Sequence, residues 1–271
     1  MNVWVALQVV LVGAIGSLVA GSLGEGLRGS LIFALAANRG FDAVSLSLIR
    51  LMSTPAPGTG SWWDQRYREG SDRWELGAPA PPLQEFVLRH PQAPPAPGRV
   101  VVPGCGRGHE AALLAGLGFD VVGLDFSVEA LREARRLHGE GPGRLTWLLA
   151  DLLDADALAA AGLGPASCDG VLEHTCYCAI DPCLRPAYRQ AVARLLRPQG
   201  WFLGLFWCHG RPGGPPYGSS PHDLKADFRA AGFDEALWFP AKNSALGLDH
   251  QPRENEWMGL WRRCSHPIDA C

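Results

Sequence analysis

From residue 99 onward the apolar positions fall in short unbroken runs rather than in strict alternation. "VVV" at 100–102, "DVVGLD" at 120–125, "LTWLL" within "RLTWLLADLLD", "GVL" within "CDGVLEH" and "WFLGLFW" at 201–207 are of this kind. Such runs read as strands covered on both faces. Helical patterns separate them. "EAALLAGLG" reads as a helix ending at Gly116 or Gly118, and "PAYRQAVARLLRPQG" puts Tyr188, Ala191, Leu195 and Leu196 on one face before Pro198 and Gly200 stop it. "SPHDLKADFRAAGF" is a helix with Pro221 in its first turn, and "EALWFPA" and "EWMGLWRR" close the chain as a hairpin. The expectation is an α/β fold: seven strands with an antiparallel last pair, flanked by helices.

The first strand breaks at Pro103 into the turn Gly104-Cys105-Gly106-Arg107-Gly108, a helix follows, and the second strand closes on Asp125. Strand, glycine turn, helix, strand and acid make the mononucleotide half of a doubly wound sheet. Glycines let the backbone approach a ligand, and the helix amino end offers unpaired N–H groups. The acid at the tip of strand two suits a ribose diol. The third strand runs to Asp151, where an acid could reach an adenine amine. His109 stands where a dinucleotide motif needs its third glycine, so the spacing is G-x-G-x-G. With seven strands rather than six parallel ones, this is a class I S-adenosylmethionine-dependent methyltransferase pattern of Rossmann-like type. One departure is Val102, which stands two places before the first glycine, where an acid is typical.

Composition narrows the class. The chain has 271 residues, 47% of them hydrophobic, and a net charge of −3, with no basic run to follow a phosphate backbone. Nucleic acid is therefore not an expected partner. Eight cysteines are scattered through the chain and read as free thiols of a reducing, cytoplasmic compartment. Cys176, Cys178 and Cys183 lack the paired spacing of zinc sites, so no metal is expected. Residues 3–24 carry no charge and are long enough to cross a bilayer, with Arg28, Arg39 and Arg50 following. Three readings of residues 1–52 stand together: a membrane anchor with the domain in the cytoplasm, a dispensable hydrophobic extension ahead of a start at Met52, and a buried accessory helix. Residues 53–61 read as a linker and 62–271 as the methyltransferase domain.

The stretches "VVPGCGRGHE", "VVGLDFSVEALREA", "CYCAIDPCLRPAY" and "GGPPYG" together resemble the thiopurine S-methyltransferase superfamily, in its halide/thiol methyltransferase branch. The resemblance covers about Trp62 to Arg263. Proline before the glycine turn is usual in that branch, which accounts for the missing acid. It implies that the aromatic stretch "WWDQRYREGSDRW" covers a bound cofactor through Trp63, Tyr67 and Trp74, with Trp62 left to core packing. It further implies S-adenosylmethionine contacts at Gly104, Gly106, Gly108, Asp125 and Asp151, and places Tyr217 of the "GGPPY" loop on the substrate side.

The implied reaction is methyl transfer to a small soft nucleophile: a thiol, sulfide, thiocyanate or halide. The cofactor carries the activated methyl group, and the protein supplies proximity and orientation. Tyr177, Tyr217 and His174 are the substrate-pocket candidates. Trp207 reads first as core and second as pocket wall. His174 and His209 both fall at strand ends, and neither is singled out as a base. A nucleophilic Cys176 or Cys178 is not required by the chemistry. The alternatives are the same fold acting on a metalloid or an oxygen or nitrogen acceptor, and a non-catalytic cofactor-binding protein.

Overall fold

The computed structural model describes residues 55–140, 144–245 and 254–265. The chain divides into a unit Met1–Ala56 and a unit Pro57–Cys271, and the second carries the fold. The apolar span at 3–24 lies outside the described residues. Among those described, no helix is long and apolar enough to cross a membrane.

Seven strands form one sheet: β1 Arg99–Pro103, β2 Asp120–Asp125, β3 Leu145–Leu149, β4 Cys168–His174, β5 Leu196–Trp207, β6 Phe233–Pro240 and β7 Glu256–Arg263. Their order is β3-β2-β1-β4-β5-β7-β6, with β7 antiparallel to both neighbours. The unbroken apolar runs belong to the parallel centre, where β1 and β2 are buried almost end to end. The order of strand addition reverses between β1 and β4, which pair in parallel through Val100 with Gly170 and Val101 with Val171. A crevice at the carboxyl ends of the strands follows from that reversal.

The helices cover both faces. They are α1 Gly60–Glu69, α2 Pro81–Arg89, α3 His109–Gly116, α4 Val128–His138, α5 Ala155–Ala160, α6 Arg185–Leu195 and α7 Pro221–Ala230. Side chains alternate along β5: Trp201, Leu203 and Leu205 enter the core under α2 and α3, while Phe202 and Phe206 enter the opposite core with Tyr188, Phe228 and Trp261. Two glycines make room for large rings on the sheet. A Cβ at Gly170 would lie 2.0 Å from the Trp201 indole, and one at Gly123 would lie 2.5 Å from Trp147. The first helix, α1, starts at Gly60, inside the stretch read as linker. Thr59 caps it by accepting from the Trp62 N–H, and Gly70, with φ of 62°, ends it.

Candidate active site

One cavity of about 1490 Å³ opens over the carboxyl ends of the central strands. Its walls include Gly104 after β1, Asp125 ending β2, His174 ending β4 and Trp207 ending β5. Parallel strands that finish in step, with the order of strand addition reversing between β1 and β4, leave this space in front of them.

At one end lies the glycine turn. Gly104, Gly106 and Gly108 all have positive φ, a conformation open to glycine at little strain. The turn folds back so that the Gly106 N–H donates to Asp125 Oδ2 at 2.9 Å, while the Ser127 N–H donates to Oδ1 at 2.9 Å. Burial pushes the Asp125 carboxyl up to about 6, against the pull of these N–H groups. Across from it stand the rings of α1 and the segment after it. Trp63 meets Trp74 edge to face at 5.1 Å, and Tyr67 meets Trp74 at 5.7 Å. Burial, with the Asp125 charge adding, raises the Tyr67 phenol well above its ordinary value, so it remains a neutral hydroxyl. That hydroxyl sits over the turn, 2.9 Å from where a Cβ on Gly106 would lie. Asp151 follows β3 at the cavity edge and accepts from the Leu153 N–H at 2.9 Å.

Charged groups that the sequence reading passed over hold this aromatic wall in place. Asp64 on α1 accepts from Ser127 Oγ at 2.6 Å and from the Glu129 N–H at 3.1 Å, tying α1 to the start of α4. Buried Asp72 takes two N–H groups of Arg107, at 3.0 and 2.6 Å. Glu75 lies 2.7 Å from His109 Nε2 and 3.5 Å from Arg107. Both partners of the segment 72–75 thus come from the glycine turn and the first residue of α3. The available signal was Arg107 and His109 beside the glycines, set against acids flanking Trp74.

The other end is built from strand tips and loops. His174 Nδ1 lies 2.9 Å from Glu110 on α3, and both residues line the cavity. Thr175 follows with φ of 61°, a strained value for a β-branched residue, and donates its hydroxyl to the His174 carbonyl at 2.7 Å. Cys176 packs on Gly104, leaving 2.7 Å between its Sγ and a Cβ placed there. Burial raises the Cys105 and Cys176 thiols well above their ordinary value, so neither is a thiolate near neutrality. The Tyr217 N–H donates to the Cys178 carbonyl at 2.6 Å, and Arg185 holds the Gly218 and Tyr217 carbonyls at 2.9 and 3.1 Å. Trp207, His209 and Tyr217 complete this wall.

Most of the expected positions therefore meet in one space: Trp63, Tyr67, Trp74, Gly104, Gly106, Asp125, Asp151, His174 and Tyr217. Two do not. Tyr177 sits on a 3₁₀ turn, Tyr177–Ala179, that rotates its ring away from the cavity into the core beside Tyr188, Phe206 and Phe228. Its hydroxyl accepts from Arg189 at 2.7 Å. Gly108 caps α3 behind the turn, where its missing Cβ admits the Trp147 ring, and it does not line the cavity. Two tryptophans expected in the core line the cavity instead. Trp62 packs edge-on against Trp63 at 4.7 Å under the Arg66 guanidinium, because neither belongs to a buried helix face. Trp207 ends β5 half-buried beneath Arg211.

Comparison with known proteins bears on this arrangement. The family model of thiopurine S-methyltransferase matches residues 59–233. A probable thiol methyltransferase 2 of Arabidopsis thaliana is 31% identical over 222 residues, spanning 80% of this chain and 89% of the relative. A thiocyanate methyltransferase 1 of Brassica oleracea is 30% identical, spanning 74% and 84%. Among solved structures, a Burkholderia thailandensis 1,6-didemethyltoxoflavin-N1-methyltransferase with bound 1,6-didemethyltoxoflavin and S-adenosylhomocysteine shares the fold. Its TM-score is 0.59 at 20% identity, covering 78% of this chain and 91% of that one. The chain belongs to the thiopurine S-methyltransferase family of S-adenosylmethionine-dependent enzymes.

Proposed function

We propose that this chain transfers the methyl group of S-adenosylmethionine to a small soft nucleophile, a thiol or sulfide first, with thiocyanate or halide next. The observation that carries the reading is the two-ended cavity. One end has aromatic faces and a buried carboxylate, and the other is walled by the tips of β4 and β5 and the loop of Tyr217. The plant relatives named for thiol and thiocyanate support this acceptor class.

The residues at the first end fit the cofactor. Asp125 gives one lone pair of each oxygen to a backbone N–H and keeps others for a ribose diol. Asp151 stands at the cavity edge for the adenine amine. Trp63, Tyr67 and Trp74 offer ring faces to a sulfonium, worth about 0.5–2 kcal/mol per ring. Bound there, S-adenosylmethionine supplies a methyl group already activated by its positive sulfur.

The chain's own contribution is to orient the acceptor and to exclude water, which strengthens every interaction inside the site. Arg185 serves this by pinning the carbonyls of the loop that bears Tyr217. We place the activity in the reducing cytoplasm, in keeping with the free thiols of Cys105, Cys168, Cys176, Cys183 and Cys208.

The test is release of S-adenosylhomocysteine by the full chain given S-adenosylmethionine and a panel of thiols, sulfide, thiocyanate, iodide and arsenite. Turnover with a thiol or sulfide is expected. Cofactor binding without turnover on any acceptor would overturn the reading in favour of a binding protein, and turnover on arsenite alone would favour a metalloid acceptor.

A further inference from the structure

Glu110 is a buried acid that the proposed cofactor contacts do not use. It stands in the first turn of α3, directly behind the glycine turn, and its Oε1 accepts from the Ala80 N–H at 3.0 Å. Burial works to raise its carboxyl. Whenever His174 is protonated, its charge and hydrogen bond, with backbone N–H groups, outweigh burial and hold the carboxyl below its ordinary value. A buried carboxylate 2.9 Å from an imidazole nitrogen is a specific arrangement. It fixes a hydrogen on Nδ1 and leaves Nε2, itself buried in this structure, as the nitrogen that exchanges a proton.

The position of this pair matters as much as its chemistry. His174 ends β4, which lies beside β1, so its tip adjoins the glycine turn, where Cys176 packs on Gly104. His174 therefore stands on the cavity wall between the Asp125 end and the pocket of Cys178, Trp207 and Tyr217. A methyl acceptor has to sit at that boundary.

We propose that His174 is the general base that removes the proton of a neutral thiol, with Glu110 as its positioning residue. The preferred acceptors are then protonated thiols, hydrogen sulfide included, rather than ready-made anions. The inference rests on the methyltransferase reading above. In the step, the S–H bond breaks and its proton passes to His174 Nε2. The electron pair left on the acceptor sulfur forms the new S–CH₃ bond. The bond from the methyl carbon to the sulfonium sulfur breaks with its electron pair retained by that sulfur. The products are a thioether and S-adenosylhomocysteine, and the imidazolium, balanced by Glu110, returns its proton to water. A thiol with its ordinary pKa of about 8.5 is only a few per cent thiolate at neutrality, so a base has work to do. Iodide and thiocyanate carry no such proton.

That contrast supplies the test. Full-length wild type, His174→Gln and Glu110→Gln are compared on an alkyl thiol, on a more acidic aromatic thiol and on iodide, with cofactor affinity measured by calorimetry. Loss of a general base is expected to lower the ratio of alkyl-thiol to iodide turnover about 100-fold in His174→Gln. The loss is smaller for the acidic thiol, and Glu110→Asp recovers part of what Glu110→Gln loses. Imidazole ¹⁵N NMR of the wild type is expected to place the His174 hydrogen on Nδ1. A merely structural pair would lower thiol and iodide turnover in parallel, and that result overturns the inference while leaving the methyltransferase reading intact. So does a wild type that methylates iodide but no thiol, or a His174 hydrogen found on Nε2. A wild type inactive on every acceptor overturns both.

Discussion

The two ends of the cavity are built differently. At the Asp125 end, segments far apart in sequence are tied by charge: Asp64 to Ser127, Asp72 to Arg107, Glu75 to His109. It presents backbone N–H donors, glycines and ring faces to the cavity. At the other end the wall comes from strand tips and the loop of Tyr217, and its side chains are His174, Cys178, Trp207 and His209. On the proposed reading, the first end is the one that keeps the shape a shared cofactor demands. The other can change with the acceptor while the sheet stays the same, which is how one fold serves many reactions.

Changes confined to one end should move one ligand. The largest effect is expected from Asp125→Ala, which removes the buried acceptor of the glycine turn. Two charge-assisted hydrogen bonds at about 1.5 kcal/mol each correspond to roughly a 100-fold loss of S-adenosylmethionine affinity by calorimetry. In the wild type, affinity should also fall as pH drops through about 6, where burial has placed the Asp125 carboxyl, because a protonated carboxyl loses acceptor capacity. If Tyr217→Ala weakened cofactor binding as much as Asp125→Ala, the division into two ends would fail.

A smaller effect is expected from Trp63→Ala. One ring face over a cation is worth about 0.5–2 kcal/mol, so affinity should fall by roughly 2- to 30-fold with an unchanged circular dichroism spectrum. Unchanged affinity would return Trp63 to plain packing.

The smallest concerns the Glu75–His109 clamp. The Glu75 hydrogen bond, opposed by burial, raises His109, so its contribution is complete below the ordinary 6.5 and lost as pH rises through the raised value. Burial opposes the lowering of Glu75, but the His109 bond prevails. Its contribution is complete above the ordinary 4.5 and lost as pH falls through the lowered value. The clamp is thus fullest between 4.5 and 6.5, with Arg107, Glu110 and His138 as its charged or titratable neighbours. His109→Gln should lower Tm by about 2–4 °C at pH 5.5, the equivalent of ~1 kcal/mol in a chain of this size, and by less at pH 8. An equal loss at both values would show that the imidazole charge contributes nothing.

The Asp125 end was largely legible in the sequence because its parts are local. A strand, a glycine turn, a helix and an acid follow one another within residues 99–125, and Trp63 and Tyr67 share a helix face by spacing alone. The clamps were not legible. Asp72 and Glu75 lie in a polar stretch that reads as solvated, and only folding brings Arg107 and His109 against them. Helix α2 was hidden for a related reason, since it is short and opens with Pro81 and Pro82 in a proline-rich stretch. At the other end, Tyr177 reads as a pocket residue from its place just past the fourth strand, but a strained Thr175 and a 3₁₀ turn intervene. The Glu110–His174 pair joins residues 64 positions apart, from α3 and β4, and no pattern along the chain announces it.

The central claim is that one cavity holds the methyl donor at the Asp125 end and turns it toward His174. A crystal structure of the full chain with S-adenosylhomocysteine tests this most directly. The account predicts the ribose on Asp125, the rings of Trp63, Tyr67 and Trp74 around the ligand, and its sulfur facing the pocket of His174, Cys178 and Tyr217. A sulfur directed away from His174, or a ligand bound outside the aromatic wall, would contradict it.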